Sequence, residues 1–160
     1  MKEMDYSYCV VKYVHDPVAG ETLNVGVIVC APTASFCAAR LDYESERLAR
    51  TFANFDRQHF ERTLRQLETA IQQQSPITSA SVKDVDVLRL RIWPDGDLSF
   101  QFGLMSVGLT DNPAVALERL YERMVTSQQP RQIHDQHVSD EAWVKYQLPL
   151  VPSAQRQAVA

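Results

Sequence analysis

Four residues around one short polar loop carry the most chemistry in this chain: His15, Asp16, Glu21 and Asn24. Two carboxylates, an amide and an imidazole on one loop are the group types that a divalent cation or an acid–base pair requires. A plainer reading stands beside that one. Asp16 precedes Pro17, which is turn chemistry, and an asparagine can satisfy loop backbone groups. A third reading makes the loop a binding surface for a partner. A surface connection between rigid strands is where binding residues tend to sit, so the Asp16 to Asn24 loop is the expected functional surface.

A second set is Arg89 and Arg91, placed on one face of an expected strand beside Trp93. Two guanidiniums and an indole suit a phosphate or a stacked base, while a solvated face with cross-strand pairs is the plainer alternative. A third set is His134 and His137, three apart, with Asp135, Asp140 and Glu141 nearby. Such histidines could share a helical face and bind zinc, but no helix is signalled there and no cysteine lies close, so a solvated tail is expected. His59 falls in the first turn of a helix and reads as exposed. No Walker loop, GxSxG elbow, HExxH or GxGxxG is present. Without a nucleophile–base pair or a metal-ligand set, the sequence points away from an enzyme and toward a chain with no cofactor and no metal.

The elements that must position these residues begin with a hairpin. Tyr6 to Val14 and Leu23 to Cys30 are rich in β-branched and aromatic residues, joined by a loop with Asp16-Pro17 and Gly20. Alternation puts Tyr6, Tyr8, Val10 and Val14 on one face, and Cys9, Val11 and Tyr13 on the other. In the second strand it groups Val25, Val27 and Val29 against Asn24, Gly26, Ile28 and Cys30. Apolar residues on both faces predict a strand pair covered on both sides. Gly26 marks a bulge or a close approach. Phe36 to Leu41 is a third strand. Asp42 is an expected cap for a short helix carrying Leu48, Phe52 and Phe55. Asp56 caps a longer one with Phe60, Leu64, Leu67 and Ile71 at helical spacing, ended by Ser75-Pro76. Leu88, Leu90 and Ile92, then Asp95-Gly96, then Leu98, Phe100, Phe102 and Leu104 predict a second, one-sided hairpin. Val107 to Leu109 is a short strand. Asn112 caps a last helix, with Pro113 at its first position and Leu117, Leu120, Tyr121 and Met124 as its stripe. Beyond it, only Asp140 to Gln147, with Trp143 and Tyr146, could form a short helix.

The expected fold class is α+β: an antiparallel or mixed sheet of about five strands with two or three helices packed on it. The run YSYCVVKYVHDPVAGETLNVGVIV, with Asp111-Asn112-Pro113 and Leu117-Glu118-Arg119-Leu120, resembles the bacterial DUF3037 family, a domain of unknown function. The likeness spans residues 5–127 as a single domain and leaves 128–160 as a partly flexible C-terminal extension. It implies no established activity. The genes of that family often lie beside one for a HipA-like kinase, which implies a protein partner and an accessory role. The competing readings are a metal-dependent hydrolase or nuclease using Asp16 and Glu21, and nucleic-acid binding through Arg89 and Arg91.

Composition narrows these. The 160 residues suit one domain, and 45% hydrophobic content supports a sizeable core. A formal net charge of −4 disfavours nonspecific nucleic-acid binding. No apolar run reaches membrane-spanning length and no signal-peptide pattern opens the chain, so a cytoplasmic location away from membranes is the default. Cys9, Cys30 and Cys37 fall on three separate strands and form no CxxC. An odd count without a secretory signal predicts buried thiols rather than a disulfide framework.

Overall fold

The computed structural model describes residues 2–74, 77, 81–92 and 97–128. The expected Asp95-Gly96 turn, Trp93, Ser75-Pro76, the His134–His137 pair, the Asp140 to Gln147 segment and the rest of the extension after Gln128 lie outside the described residues. The described part is an α+β fold built on a five-stranded antiparallel sheet. Strands β1 (Met4–Asp16), β2 (Glu21–Ala31) and β3 (Phe36–Leu41) are followed by helices α1 (Glu46–Thr51), α2 (Arg57–Gln72) and α3 (Val85–Ile92). Then come β4 (Phe100–Phe102), β5 (Ser106–Thr110) and α4 (Pro113–Met124). The order is β3-β2-β1-β4, and β5 also pairs with β1. Thus β1 holds β2 along one edge. Its other edge is shared by β4, against residues 11–13, and β5, against residues 4–8.

Helices cover both faces, as the apolar residues on both sides of the hairpin predict. On one face Cys9, Val11, Tyr13, Ile28 and Cys30 pack under Leu48 of α1, the Phe60–Leu64–Leu67–Ile71 stripe of α2, and Val85, Leu88 and Ile92 of α3. On the other, Val27 and Val29 pack under Leu117, Leu120 and Tyr121 of α4. Two caps form as expected. Asp56 Oδ1 accepts from His59 N at 2.9 Å, and Asn112 Oδ1 accepts from Ala114 N and Val115 N at 3.1 and 3.3 Å.

Four sequence expectations are corrected. First, Val25 does not share a face with Val27 and Val29. Val11 pairs with Gly26 but Lys12 pairs with Asn24, so Val25 has no partner and its side chain joins the core on the α2 side. A one-residue bulge flips every side chain beyond it to the other face. Gly26 sits beside that bulge because a Cβ there would lie 2.6 Å from Leu41 Cδ2 and 2.9 Å from the Arg40 carbonyl.

Second, Leu88 to Ile92 is a helix, not a strand. Asp84 Oδ1 accepts from Val87 N at 3.1 Å and caps it, and Ser7 Oγ accepts from Val85 N at 2.8 Å, tying its first turn to β1. Third, Leu98 to Leu104 is not a one-sided strand: Phe100 is buried, but Leu98 and Leu104 are exposed and only Phe100–Phe102 pairs. Fourth, Asp42 does not cap α1. That helix starts after Ser45, and the Asp42 carboxylate is buried elsewhere.

Candidate functional site

The first loop forms an Asx turn. Asp16 Oδ1 accepts from Val18 N at 2.8 Å and from Ala19 N at 3.0 Å, and these N–H groups hold its carboxyl below the usual range. Gly20 takes φ +73° to close the turn. Asp16 and Glu21 stand opposite each other in the ladder, with Glu21 exposed. His15 and Asn24 turn elsewhere. The His15 ring stacks on Phe52 at 4.5 Å and 12°, with its Nδ1 3.3 Å from the Tyr13 hydroxyl. Asn24 Nδ2 donates to the Met124 carbonyl at 3.0 Å, at the end of α4. The loop therefore brings Asp16 and Glu21 together but not the set of four. Among the described residues no group of three or more His, Cys, Asp or Glu is placed to hold a metal.

The paired-arginine face is also rearranged. Residues two apart share a strand face, but on a helix they point about 200° apart. On α3, Arg89 Nε pairs with Asp86 Oδ1 at 3.0 Å and its Nη1 donates to the Gly103 carbonyl at 3.2 Å. Arg91 is exposed on another side.

Two clusters escaped sequence reasoning. At the bulge, Arg47 Nη2 donates to the Asn24 carbonyl at 2.7 Å and lies 3.6 Å from Asp42 Oδ2, while Nη1 donates to the Val125 carbonyl at 3.3 Å. Asp42 Oδ1 accepts from Glu44 N at 2.9 Å. This buried junction ties β2, α1 and the end of α4 together. Beside it lies a cavity of about 670 Å³, lined by Tyr43, Ser45, Arg47, Arg50, Thr51 and Arg57 with Glu44, Glu46 and Glu61. Three arginines face three glutamates, so charge gives this groove no preference for an anion. Nearby, burial and a 2.5 Å hydrogen bond to Glu68 push the Tyr43 hydroxyl up.

The second cluster joins the start of α2 to the segment before β4. His59 Nε2 lies 3.1 Å from Asp97 Oδ2 and 3.5 Å from Ser99 Oγ. A serine–histidine–aspartate relay needs the two partners on opposite ring nitrogens. Here both approach the same nitrogen, so the trio cannot pass a proton from serine to aspartate. Its role is to hold the segment: Asp97 Oδ2 also accepts from Thr63 Oγ1 at 3.1 Å, and Ser99 N donates to Asp97 Oδ1 at 2.8 Å. Burial pushes the Asp97 carboxyl up, but hydrogen bonds from Ser99 and Thr63, with the His59 charge, outweigh it and leave it low. His59, expected to be exposed, is partly so and is partnered.

The remaining feature is apolar. Leu104 is 88% exposed, Val107 74% and Leu109 62%, and Met105 is also exposed. They lie on or just before β5, whose sequence SVGLT carries no charge. Among the described residues no strand pairs with its outer edge. Tyr6 is the register partner of Gly108 and its ring crosses over the glycine, where a Cβ would fall 2.6 Å from the ring.

The model of the DUF3037 family, a protein family of unknown function, matches residues 8–125. Comparison with curated proteins and with solved structures gives no match. The matched span takes in most of the β1–β2 hairpin, its Asx turn, the Arg47 junction and the four helices α1 to α4 among the described residues, and the chain belongs to the DUF3037 family.

Proposed function

We propose that this chain is an interaction protein rather than an enzyme, and that the outer edge of β5 takes its protein partner. One observation carries the reading: large apolar side chains stand exposed on an uncharged strand whose outer edge is unpaired among the described residues. Proteins normally blunt such edges with charge, proline or cover, because an open edge recruits another strand. The same geometry is how sheets accept a partner's extended segment, with backbone bonds giving affinity and alternate side chains giving specificity. The family resemblance supplies a candidate, a HipA-like kinase.

The hydrolase reading has less support, since Asp16 commits an oxygen to its own turn. The nucleic-acid reading has less too, since Arg89 is engaged with Asp86 and Gly103. Co-purification of the chain with the HipA-like kinase, using Val107→Lys with Leu109→Lys, tests the proposal. Both positions are exposed, so folding is expected to shift by no more than about 0.5 kcal/mol each. Lost association with an unchanged melting temperature is the expected result. Undiminished association, or its loss in Asp16→Ala or Glu21→Ala instead, would overturn it.

A further inference from the structure

We propose that Cys30 and Cys37 form an oxidisable dithiol at which a peroxide closes a disulfide between β2 and β3. The two residues stand directly opposite each other in the antiparallel register. Opposed residues of such a pair have Cα atoms about 4.5 or 5.5 Å apart, and a disulfide accepts roughly 4.4–6.8 Å. Opposed side chains also leave the same face, with Cβ atoms about 4.5–5.5 Å apart, close to the roughly 3.5–4.5 Å that a bridge needs. The two thiols interact: hydrogen bonding between them pulls the Cys30 thiol down and pushes the Cys37 thiol up. That bond favours a single thiolate on the pair and makes loss of the second proton harder.

Access and competition fit the same assignment. Among the described residues β3 is the outermost strand on its side; Cys30 is as buried as Cys9, but Cys37 is only half-buried, so a small oxidant approaches the pair from the Cys37 side. Cys9 lies fully buried opposite Ile28, and burial pushes its thiol up to about 12. It has neither a partner thiol across the ladder nor a ready thiolate.

The chemistry closes with hydrogen peroxide as the only co-reactant. The shared thiolate attacks one peroxide oxygen. An S–O bond forms, the O–O bond breaks, and hydroxide leaves and takes a proton to become water. The second thiol then gives up its proton and attacks the sulfenic sulfur. The S–S bond forms, the S–O bond breaks, and a second water departs. The two sulfurs together lose two electrons, which the peroxide accepts. The ring that closes is short, so the bond staples the β2–β3 edge and restricts the unfolded chain less than a longer loop would.

The test exposes the folded full chain to graded hydrogen peroxide, blocks free thiols by alkylation, and maps unreduced peptides by mass spectrometry. The expected product is one cross-linked peptide pair joining Cys30 to Cys37, formed equally in Cys9→Ser and absent in Cys37→Ser. A major bridge through Cys9, sulfinic acid on Cys37 with Cys30 free, or three thiols still alkylated after treatment would each overturn the assignment. Parent chain and Cys9→Ser decide the matter even where Cys37→Ser folds poorly.

Discussion

β2 and β5 are both antiparallel partners of β1, and they are held in opposite ways. β2 is buried on both faces, with Val25, Ile28 and Cys30 toward α2 and Val27 and Val29 toward α4. β5 has five residues, two of its large side chains exposed, and one packing contact of note, the Tyr6 ring over Gly108. Burial holds the first strand, and backbone pairing holds the second. A strand retained by its ladder while its apolar side chains stay in water is poorly explained by folding and well explained by docking.

The sharpest way to break this contrast is to place one charge at both strands. Val27→Asp buries an unpaired carboxylate under α4 and is expected to unfold the domain, a loss of several kcal/mol. Val107→Asp is expected to move stability by no more than about 0.5 kcal/mol. Comparable melting temperatures for the two variants would contradict the assignment of faces.

Next in size is Arg47→Ala. It leaves Asp42 buried without its ion partner and the Asn24 and Val125 carbonyls without a donor, an expected loss of about 3–5 kcal/mol in urea unfolding. A loss below about 1 kcal/mol would show the junction to be a surface pair. Gly108→Val tests the other side of the comparison. Its side chain displaces the Tyr6 ring, at about 1–3 kcal/mol, and is expected to free the β5 amides to exchange while β2 amides stay protected.

The smallest effect is on pH dependence. The Asp97 carboxyl is held below its ordinary value, so its contribution is fully present above the ordinary carboxylate range, near about pH 4, and is lost as pH falls through the lower folded value. Urea midpoints measured down through that window are expected to fall less steeply for Asp97→Asn than for the parent. An equal slope would remove Asp97 from the acid response.

The hairpin, the third strand and the α2 and α4 stripes were legible because each rests on local periodicity, with a turn beside the strands and a cap beside each helix in the same window. Leu88, Leu90 and Ile92 misled because leucines two apart suit a strand, whereas Val85, Leu88 and Ile92 suit a helix. Asp84 as a cap and Asp86 in the first turn were the signals that favour the helix. Gly26 announced an irregularity, but which residue would bulge depends on register with β1, a nonlocal property. Asn24 read as a loop group because its partner, the Met124 carbonyl, lies 100 residues away. The partner of His59, read only as exposed, was hidden for the same reason, with Asp97 on another segment. The exposure of Val107 and Leu109 was equally hidden: an apolar pair on a short strand looks the same in sequence whether covered or bare.

Amide hydrogen exchange of the chain, alone and with the HipA-like kinase, tests the central claim most directly. The account predicts new protection concentrated in Ser106–Thr110, with β2 amides already protected and unchanged. Protection that appears at residues 16–21 instead, or an unchanged β5, would contradict it.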